Sequence, residues 1–410
     1  MGASFEFHSI HPQFTFVGPQ KIAGKRPVLL FVHGANGKPA NRVSSVRDRR
    51  RPSSARSLSH RDSRLSKLNL RTSAMRSLIV SLFILIAGAS LSHAQAEPRP
   101  TEIARWQDGR TAAFMLMFDD SWPSHWQVAA PELVKRGMIA TFYICPGKGE
   151  YLKFADKWEQ ELWKQGMVYG VHTMTHQGVK DVENAEYEIG ENARIIRRIV
   201  PGTAGKLVSY AQPGVAKGAW NITPEQRDEL LKKHQLIERP SLVGKMTVFD
   251  INTAEEILAV ADKAIANQGS DILVIHGVER LGPDVKWQDF WALKQDVFLP
   301  VLDGLKQRRD DGKLWITDHI SAHQYQTERE SAEVRVIESS SQRIRLQLTC
   351  QADPKLYDHP LTLITQVPAA WKRCSIEQQG RKAIREVKNA RVRFDAVPNG
   401  SEIVLIVASK

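Results

Sequence analysis

The chain has 410 residues, enough for one domain of roughly 200–250 residues with its own core and a smaller second domain. Its net charge of +12 would suit a protein that binds nucleic acid or a membrane surface, but the excess is confined to the first 76 residues. From Glu97 onward the chain has 42 basic and 42 acidic residues, so we predict no nucleic-acid partner.

The first 96 residues fall into two segments of different composition. Residues 1–74 are rich in Arg and Ser and have little helical or strand period, which predicts a disordered extension ahead of a true start at Met75. Residues 75–96 have one charge at Arg76, a short apolar run and the small-residue site Ala94–Ala96, the order of a secretory signal peptide. The apolar run is shorter than the ~20 residues of a membrane span, and an uncleaved anchor is the alternative. We therefore predict a secreted or periplasmic protein with no stable membrane span after cleavage.

From Thr111 to Gln326, short apolar runs alternate with longer amphipathic ones. The predicted strands are Ala112–Phe118, Ile139–Cys145, Met167–His172, Leu207–Gln212, Leu236–Arg239, Asp271–His276 and Leu314–Thr317. The predicted helices are Ala185–Val200, Pro224–Lys233, Ala254–Ala266 and Trp287–Gln307. This alternation predicts an α/β domain over residues 97–328, with a parallel sheet that is open or closed into a barrel. In such folds the reactive residues gather at the carboxyl ends of the strands.

After Glu328 the pattern changes to short alternating or β-branched runs separated by turn signals. The predicted strands are Val334–Ile337, Ile344–Leu348, Leu361–Val367, Val392–Phe394 and Glu402–Val407. They predict a small all-β, sandwich-like module over residues 329–410, which carries no obvious cluster of catalytic residue types. Cys350 and Cys374 both lie in this region and could pair in an oxidising compartment.

Two groups of polar residues follow predicted strands of the α/β domain. Asp119 and Asp120 are adjacent carboxylates, which repel each other and raise one pKa unless a cation intervenes. His172 and His176 have i, i+4 spacing, so on a helical turn they would face the same way and suit one metal ion. One carboxylate and two imidazoles would leave positions for water and substrate, as in catalytic metal sites.

Other histidines near strand ends are weaker signals. His276 closes an apolar strand, and a histidine at such a position is more often structural than catalytic when taken alone. His319 and His323, after Asp318, form a second His-x-x-x-His, which we interpret as a solvated helix face.

Together these residues resemble the polysaccharide deacetylase family, the NodB-homology or carbohydrate esterase family 4 enzymes. Met117–Ser121 is similar to the family motif T-F-D-D-G, and His172–His176 satisfies H-[ST]-x-x-H. Leu273–His276 is similar to the last motif, an apolar strand that ends in His. Three matches in the right order are far more specific than any one of them. The resemblance implies a deformed (β/α) barrel, with the β module outside it.

The resemblance also implies roles for individual residues. Asp119 would be the general base and His276 the acid that protonates the leaving amine or alcohol. A backbone N–H near Gly214 would help to hold the tetrahedral oxyanion. A divalent metal ion, with Zn²⁺ as the expected species, would polarise the acetyl carbonyl and hold the attacking water. Its implied ligands are Asp120, His172 and His176.

The sequence departs from the family pattern in its third motif, R-x-P-Y. Ala211 stands where the Arg would be and Gly214 where the aromatic residue would be. Arg239, at the end of the fifth strand, is our candidate for the substitute cation, and an ordinary surface Arg is the alternative. Trp122 could stack on a sugar ring or pack inside the barrel. The family's fourth motif, an Asp and a Trp that pair with the acid His, has no clear match.

The leading hypothesis is a secreted metal-dependent hydrolase that removes O- or N-linked acetyl groups from a polysaccharide. One alternative is a catalytically inactive carbohydrate-binding relative, and turnover would separate the two. Another is a hydrolase of a different C–N bond in a small molecule.

Overall fold

The computed structural model describes residues 101–408. The predictions of a disordered extension over residues 1–74 and of a signal peptide over residues 75–96 lie outside the described residues. None of the helices formed by residues 101–408 is both long and apolar enough to span a bilayer.

The α/β domain is built on a parallel sheet. Its strands are β2 (Ala112–Asp119), β3 (Thr141–Ile144), β4 (Val168–Val171), β5 (Val208–Tyr210), β6 (Leu236–Glu238), β7 (Ser270–Ile275) and β8 (Leu314–Thr317), and β1 (Thr101–Ile103) precedes them in the chain. The order is β6-β5-β4-β3-β2-β7, and β8 pairs with β2 below β3. All seven predicted strands are present, within two residues at each end.

The sheet curls around an interior filled by alternate residues of its strands. On β2, Met115 and Met117 face inward and pack with Ile272 and Val274 of β7. Their neighbours on β2 face outward, into the core beneath the helices. Because side chains alternate along a strand, Asp119 continues the inward row. The predicted deformed (β/α) barrel is confirmed.

Helices cover the outer face of the sheet. The α-helices are α1 (Ala130–Lys135), α2 (Gly149–Lys153), α3 (Ala155–Lys157), α4 (Val182–Ala185), α5 (Asn192–Ile199), α6 (Pro224–Lys233), α7 (Ala254–Ala266), α8 (Gln295–Asp310) and α9 (His319–Ser331). Three π-helical stretches (His125–Ala129, Trp158–Leu162 and Glu186–Glu191) and two 3-10 turns (Gln107–Gly109 and Trp163–Gln165) adjoin them. The bounds of α6 and α7 are those predicted, and each helix begins with a capping box, at Thr223 and Thr253.

The prediction that a helix begins at Trp287 is wrong, because α8 begins only at Gln295. The residues before it return to the end of β7: Gly277 N donates to Phe290 O at 3.0 Å, and Leu293 N donates to Gly277 O at 2.9 Å. The segment 277–293 is therefore a loop closed at its base beside His276. Its amphipathic composition mimicked a helical pattern.

Two antiparallel sheets form the β module. Its strands are β9 (Glu333–Ser339), β10 (Arg343–Thr349), β11 (Leu361–Gln366), β12 (Arg373–Gln378), β13 (Arg381–Glu386), β14 (Arg391–Ala396) and β15 (Asn399–Val407). One sheet has the order β1-β11-β14 and the other β13-β12-β15-β10-β9. Leu363 and Phe394 of the first sheet share a core with Leu346 and Leu405 of the second. The predicted sandwich-like module is thus present.

Three strands of the β module, β1, β12 and β13, were not predicted. β13 has four charged residues among six, β12 has only two buried apolar positions, and β1 lies far away in the sequence. Cys350 and Cys374, which could have paired, are both free. The division of the chain at residue 328 stays a prediction, and α9 runs through this position.

Candidate functional site

Four inward-facing side chains meet at the carboxyl edge of the curled sheet. Asp119 is the last residue of β2, and His172, Arg239 and His276 directly follow β4, β6 and β7. The carboxyl ends of parallel strands lie at one edge of a sheet, which explains why residues far apart in sequence converge here. His172 Nε2 lies 3.8 Å from Asp119 Oδ2, and Arg239 contacts the same carboxylate.

The segment that carries the two motif histidines is not helical, contrary to the prediction. Thr173 and His176 both have left-handed backbone angles, with φ of 61° and 60°. Two buried polar side chains hold this turn. Asn192 Nδ2 donates to Thr173 O at 2.8 Å, and Glu188 accepts from the backbone N–H of Thr175 at 2.9 Å. Tertiary hydrogen bonds therefore bring the histidines together.

Asp120, His172 and His176 form a group that could hold a metal ion, with ligand atoms within 4.8 Å of one another. Asp120 Oδ1 lies 3.1 Å from His176 Nε2 and 3.4 Å from His172 Nε2. The Nδ1 of His172 is 2.8 Å from Ala211 O; donation to this carbonyl leaves the Nε2 lone pair free to act as a ligand. Asp120 Oδ1 is buried without a hydrogen-bond donor among the described residues. Two ring nitrogens that converge on such an oxygen fit a cation.

Asp119 forms a buried ion pair with Arg239. Arg239 Nη1 donates to both carboxylate oxygens, at 2.7 and 2.9 Å, and the residues are 9% and 3% exposed. Burial alone would raise the pKa of Asp119, but the guanidinium outweighs it and the pKa lies below the ordinary value of 3.8. Arg239 is therefore not an ordinary surface residue: it is buried and pairs with Asp119, which an alanine at residue 211 could not do.

An aromatic ring supports the guanidinium from inside the barrel. The Cζ atom of Arg239 lies 4.9 Å from the centroid of the Tyr143 ring, within range of a cation–π interaction. The ring fits because residue 170 is glycine: a Cβ there would lie 2.5 Å from Tyr143 Cδ1.

His276 is enclosed by aromatic side chains of the loop 277–293. Its ring makes edge contacts with Trp291, at a centroid distance of 5.2 Å, and Phe290, at 5.7 Å. Burial lowers its pKa below the ordinary 6.5. Its Nδ1 atom is buried without a hydrogen-bond partner among residues 101–408. The carboxylate that pairs with the acid His in the family pattern is thus not supplied by the described part of the chain.

Of the two remaining candidate residues, Trp122 contacts the metal-ligand group, and Gly214 lies in an exposed segment. Trp122 Nε1 donates to Asp120 Oδ2 at 3.2 Å, and Lys148 Nζ lies 4.5 Å from the centroid of its ring. The ring face under Lys148 is therefore not open to a sugar. Gly214 lies in an exposed irregular segment after β5, and no atom lies within 4 Å of where its Cβ would be. The use of its N–H at the site stays a prediction.

The interpretation of the second His-x-x-x-His as a solvated helix face is wrong. Asp318 caps α9, and His319 is buried with Nδ1 2.7 Å from Ser209 Oγ. Ser209 is in turn 2.7 Å from the hydroxyl of Tyr143, and burial lowers the pKa of His319 to about 3. A neutral hydrogen-bonded chain thus fills the barrel beneath the ion pair. His323 is partly buried at the next turn.

Three residues that shape the site were not predicted from the sequence: Lys148, Glu188 and Asn192. Lys148 Nζ lies 3.9 Å from Asp120 Oδ2. Glu188 and Asn192 are polar residues at i, i+4 on the buried face of a helical stretch otherwise lined by Ile189 and Ile196. Buried polar residues on an apolar face are a signal that could have found them.

Residues 107–226 match a family model described as polysaccharide deacetylase. The resemblance seen in the sequence is confirmed. The match includes Asp119, Asp120 and both motif histidines, and it ends before Arg239 and His276.

Several solved structures of carbohydrate esterase family 4 are similar to this chain. The family 4 esterase from Streptomyces lividans is 17% identical, with 50% of this chain and 90% of that chain covered and a TM-score of 0.32. A polysaccharide deacetylase from Bacillus cereus is 21% identical, with coverage of 51% and 92% and a TM-score of 0.33. A family 4 pseudoenzyme from Bacillus anthracis is 14% identical, with coverage of 50% and 63% and a TM-score of 0.34. These TM-scores carry no argument, so we assign the fold class from the strand order and register of the sheet.

A curated relative extends beyond the matched domain. A gellan lyase from a Bacillus species is 21% identical over 345 residues, which cover 78% of this chain and 14% of the lyase. The chain thus corresponds to a small part of that protein.

Proposed function

We propose that this protein is a metal-dependent hydrolase that removes O- or N-linked acetyl groups from a polysaccharide. The observation that carries the proposal is an ionised, oriented carboxylate, Asp119, directly beside a group of metal-ligand type, with His172 Nε2 3.8 Å away. The leader-like pattern of residues 75–96 supports action outside the cytoplasm.

In this proposal Asp119 is the general base that takes a proton from the attacking water. Arg239 keeps it ionised and fixes the direction of its free lone pairs, because one guanidinium nitrogen binds both oxygens. The lowered pKa makes Asp119 a weak base, so the water itself must be made more acidic. A divalent ion held by Asp120, His172 and His176, with Zn²⁺ expected, would supply that acidity and polarise the acetyl carbonyl.

His276 is the proposed acid for the leaving amine or alcohol. Phe290 and Trp291 restrict its ring and exclude water from one side. The Gly214 N–H is proposed to donate to the oxyanion, and Trp122 to orient Asp120 through its hydrogen bond.

One observation favours a second candidate, a carbohydrate-binding relative without turnover. The Nδ1 of His276 has no partner among residues 101–408, and an acid His normally has one to fix its tautomer and support its charge.

Acetate release distinguishes these candidates. The protein from Glu97 to Lys410 would be assayed with acetylated xylan, chitin oligomers, peptidoglycan and acetylated galacturonan, with added Zn²⁺ or with chelator. We expect release that the chelator abolishes and that Asp119→Asn reduces at least about 10²-fold, the scale of a lost general base. Asp156→Asn, which removes an exposed carboxylate on α3, is the matched control. Metal binding by a folded protein without release from any substrate would favour the binding relative.

A further inference from the structure

The ammonium of Lys148 makes no hydrogen bond within residues 101–408; it lies over the ring of Trp122, 4.5 Å from the ring centroid. Lys148 Nζ lies 3.9 Å from Asp120 Oδ2, which is too long for a hydrogen bond. The side chain is 18% exposed, and none of the hydrogen bonds of residues 101–408 involves Nζ. Burial of an ammonium removes water that accepted its hydrogen bonds, and this costs free energy unless another acceptor takes the place of that water. Its three donors thus remain available to a ligand at the site.

The backbone of Lys148 is fixed against the turn that carries the motif histidines. Gly147 N donates to Met174 O at 2.8 Å, and a Cβ on Gly147 would lie 2.9 Å from this oxygen. Lys148 N donates to Cys145 O at 3.0 Å, which closes the loop after β3. The backbone at Lys148 is therefore held beside the site by a close contact that disfavours any side chain at residue 147, and the ammonium rests on the Trp122 ring.

The charges around the metal-ligand group would stay positive with a divalent ion bound. Asp119 is already paired with Arg239, and Asp120 belongs to the metal-ligand group. A divalent ion would exceed the charge of Asp120 by one, Glu188 beside the histidine turn would offset one positive charge, and Lys148 would add one. Lys148 would repel the ion, since like charges at such distances repel. The excess positive charge matches an anionic ligand.

We propose that Lys148 binds a carboxylate of the substrate, so that the deacetylated glycan is acidic at, or next to, the acetylated sugar. This rests on the proposed function of the same site. The carboxylate could belong to a uronic acid or to the lactyl ether of a muramic acid, and both would give an ammonium–carboxylate hydrogen bond. The chain from Glu97 onward is formally neutral, so the selectivity is local to this lysine.

Two substrate pairs that differ in charge test the proposal. The first is an O-acetylated oligogalacturonate and its methyl ester, and the second is a GlcNAc–MurNAc oligosaccharide and a chitin oligomer of equal length. Dissociation constants would be measured by calorimetry on the Zn²⁺-loaded His276→Gln protein, in which the Asp119–Arg239 pair is intact, and KM on the active protein. We expect about tenfold tighter binding of the acidic member of one pair, the scale of a charge-assisted hydrogen bond. The pair that responds identifies the source of the carboxylate.

Three variants assign the preference to Lys148. Lys148→Met should abolish it, Lys148→Arg should retain most of it, and Lys153→Met, an exposed lysine on α2, should leave it unchanged. The Zn²⁺ affinity of Lys148→Met should be equal to or higher than that of the unchanged protein, which is a readout independent of substrate. If Lys148→Met does not fold, as judged by circular dichroism, Lys148→Gln takes its place.

The proposal is overturned if the acidic and neutral members of both pairs bind equally, if none of the probes binds, or if the preference survives in Lys148→Met. Charge-selective binding that is lost in Lys148→Met, without acetate release from any probe, would instead support this inference and contradict the proposed hydrolysis. Release of acetate with equal KM values for the acidic and the neutral member of each pair would support the proposed hydrolysis and contradict this inference.

Discussion

The protonation state of Asp119 depends on one cationic side chain, Arg239, from a distant part of the chain. Arg239 lies 120 positions away in sequence and is buried with it. Removal of one partner of a buried ion pair leaves the other charge without compensation, which costs far more than loss of an exposed pair. The arginine is thus expected to matter both for the base and for the fold.

Arg239→Ala should lower the free energy of unfolding by about 3–5 kcal/mol and reduce acetate release about a hundredfold or more. Chemical denaturation and a substrate assay would measure the two effects. Arg227→Ala is the control, because Arg227 pairs with the exposed Glu238 and should cost about 1 kcal/mol or less. Equal behaviour of the two variants would contradict the role of Arg239.

The pKa shifts at the site predict an acidic optimum. In the proposed mechanism Asp119 acts ionised and its pKa lies below 3.8, while His276 acts protonated and burial holds its pKa below 6.5. The rate should rise as Asp119 loses its proton and fall as His276 loses its own. We expect a bell-shaped profile of kcat/KM with a maximum below pH 6.5, measured between pH 3 and 9. A maximum above pH 7.5 would exclude His276 as the acid.

A buried carboxyl remote from the site should make stability depend on pH. Glu328 is 0% exposed, and burial raises its pKa from 4.5 to about 8. The folded state therefore holds this proton more tightly, so the contribution to stability is complete below pH 4.5 and is lost as the pH rises through about 8.

Thermal unfolding at pH 5 and pH 9 should show this loss in the unchanged protein, at about 2–4 kcal/mol, and not in Glu328→Gln. Glu330→Gln, an exposed neighbour, is the control and should behave like the unchanged protein. If the pH dependence of Glu328→Gln matches that of the control, Glu328 is not the group responsible.

At the scale of the elements, regular structure was predictable and its connections were not. α6 and α7 were predicted because their capping residues and apolar periods act locally. The turn at His172–His176 depends on hydrogen bonds with Asn192 and Glu188. These contacts are distant in the sequence, so a local sequence pattern could not predict them. The identity of five site residues could thus be predicted by resemblance, but not the backbone that brings them together.

The packing of Tyr143 against β4 depends on the absence of a side chain at Gly170. Gly170→Ala would place a Cβ 2.5 Å from the Tyr143 ring, so the ring would have to shift from its position under Arg239. We expect a loss of about 1–3 kcal/mol in unfolding free energy, and a lower kcat because Arg239 would orient Asp119 less well, measured by denaturation and by a substrate assay. Gly149→Ala, where no atom lies within 4 Å, is the control. Unchanged kcat in Gly170→Ala would contradict the positioning role of Tyr143.

At the scale of the whole molecule, the β module is completed from both ends of the described chain. β1 pairs with β11, Thr101 opposite Thr365, and Trp106 is buried in the module core together with Tyr325 of α9. Apolar surface shared in this way makes separate unfolding of the two parts costly. The barrel and the module are therefore expected to depend on each other for stability.

A protein from Glu97 to Glu328 should be insoluble or bind hydrophobic dyes, because it exposes Trp106 and the edge of β1. The protein from Glu97 to Lys410 should unfold in one calorimetric transition. A soluble, monomeric shorter protein with an unchanged melting temperature would show that the barrel is independent.

Because β1 pairs with β11, it has no partner strand for much of the time in which the chain is synthesised. Thr101 and its partner Thr365 are 264 residues apart. At the usual elongation rate of about 5–20 residues per second, β1 emerges about 10–50 s before the strand that covers it. The first strand described here is therefore among the last to be buried, and its open edge must be protected from other nascent chains for most of the time the ribosome needs to finish the protein.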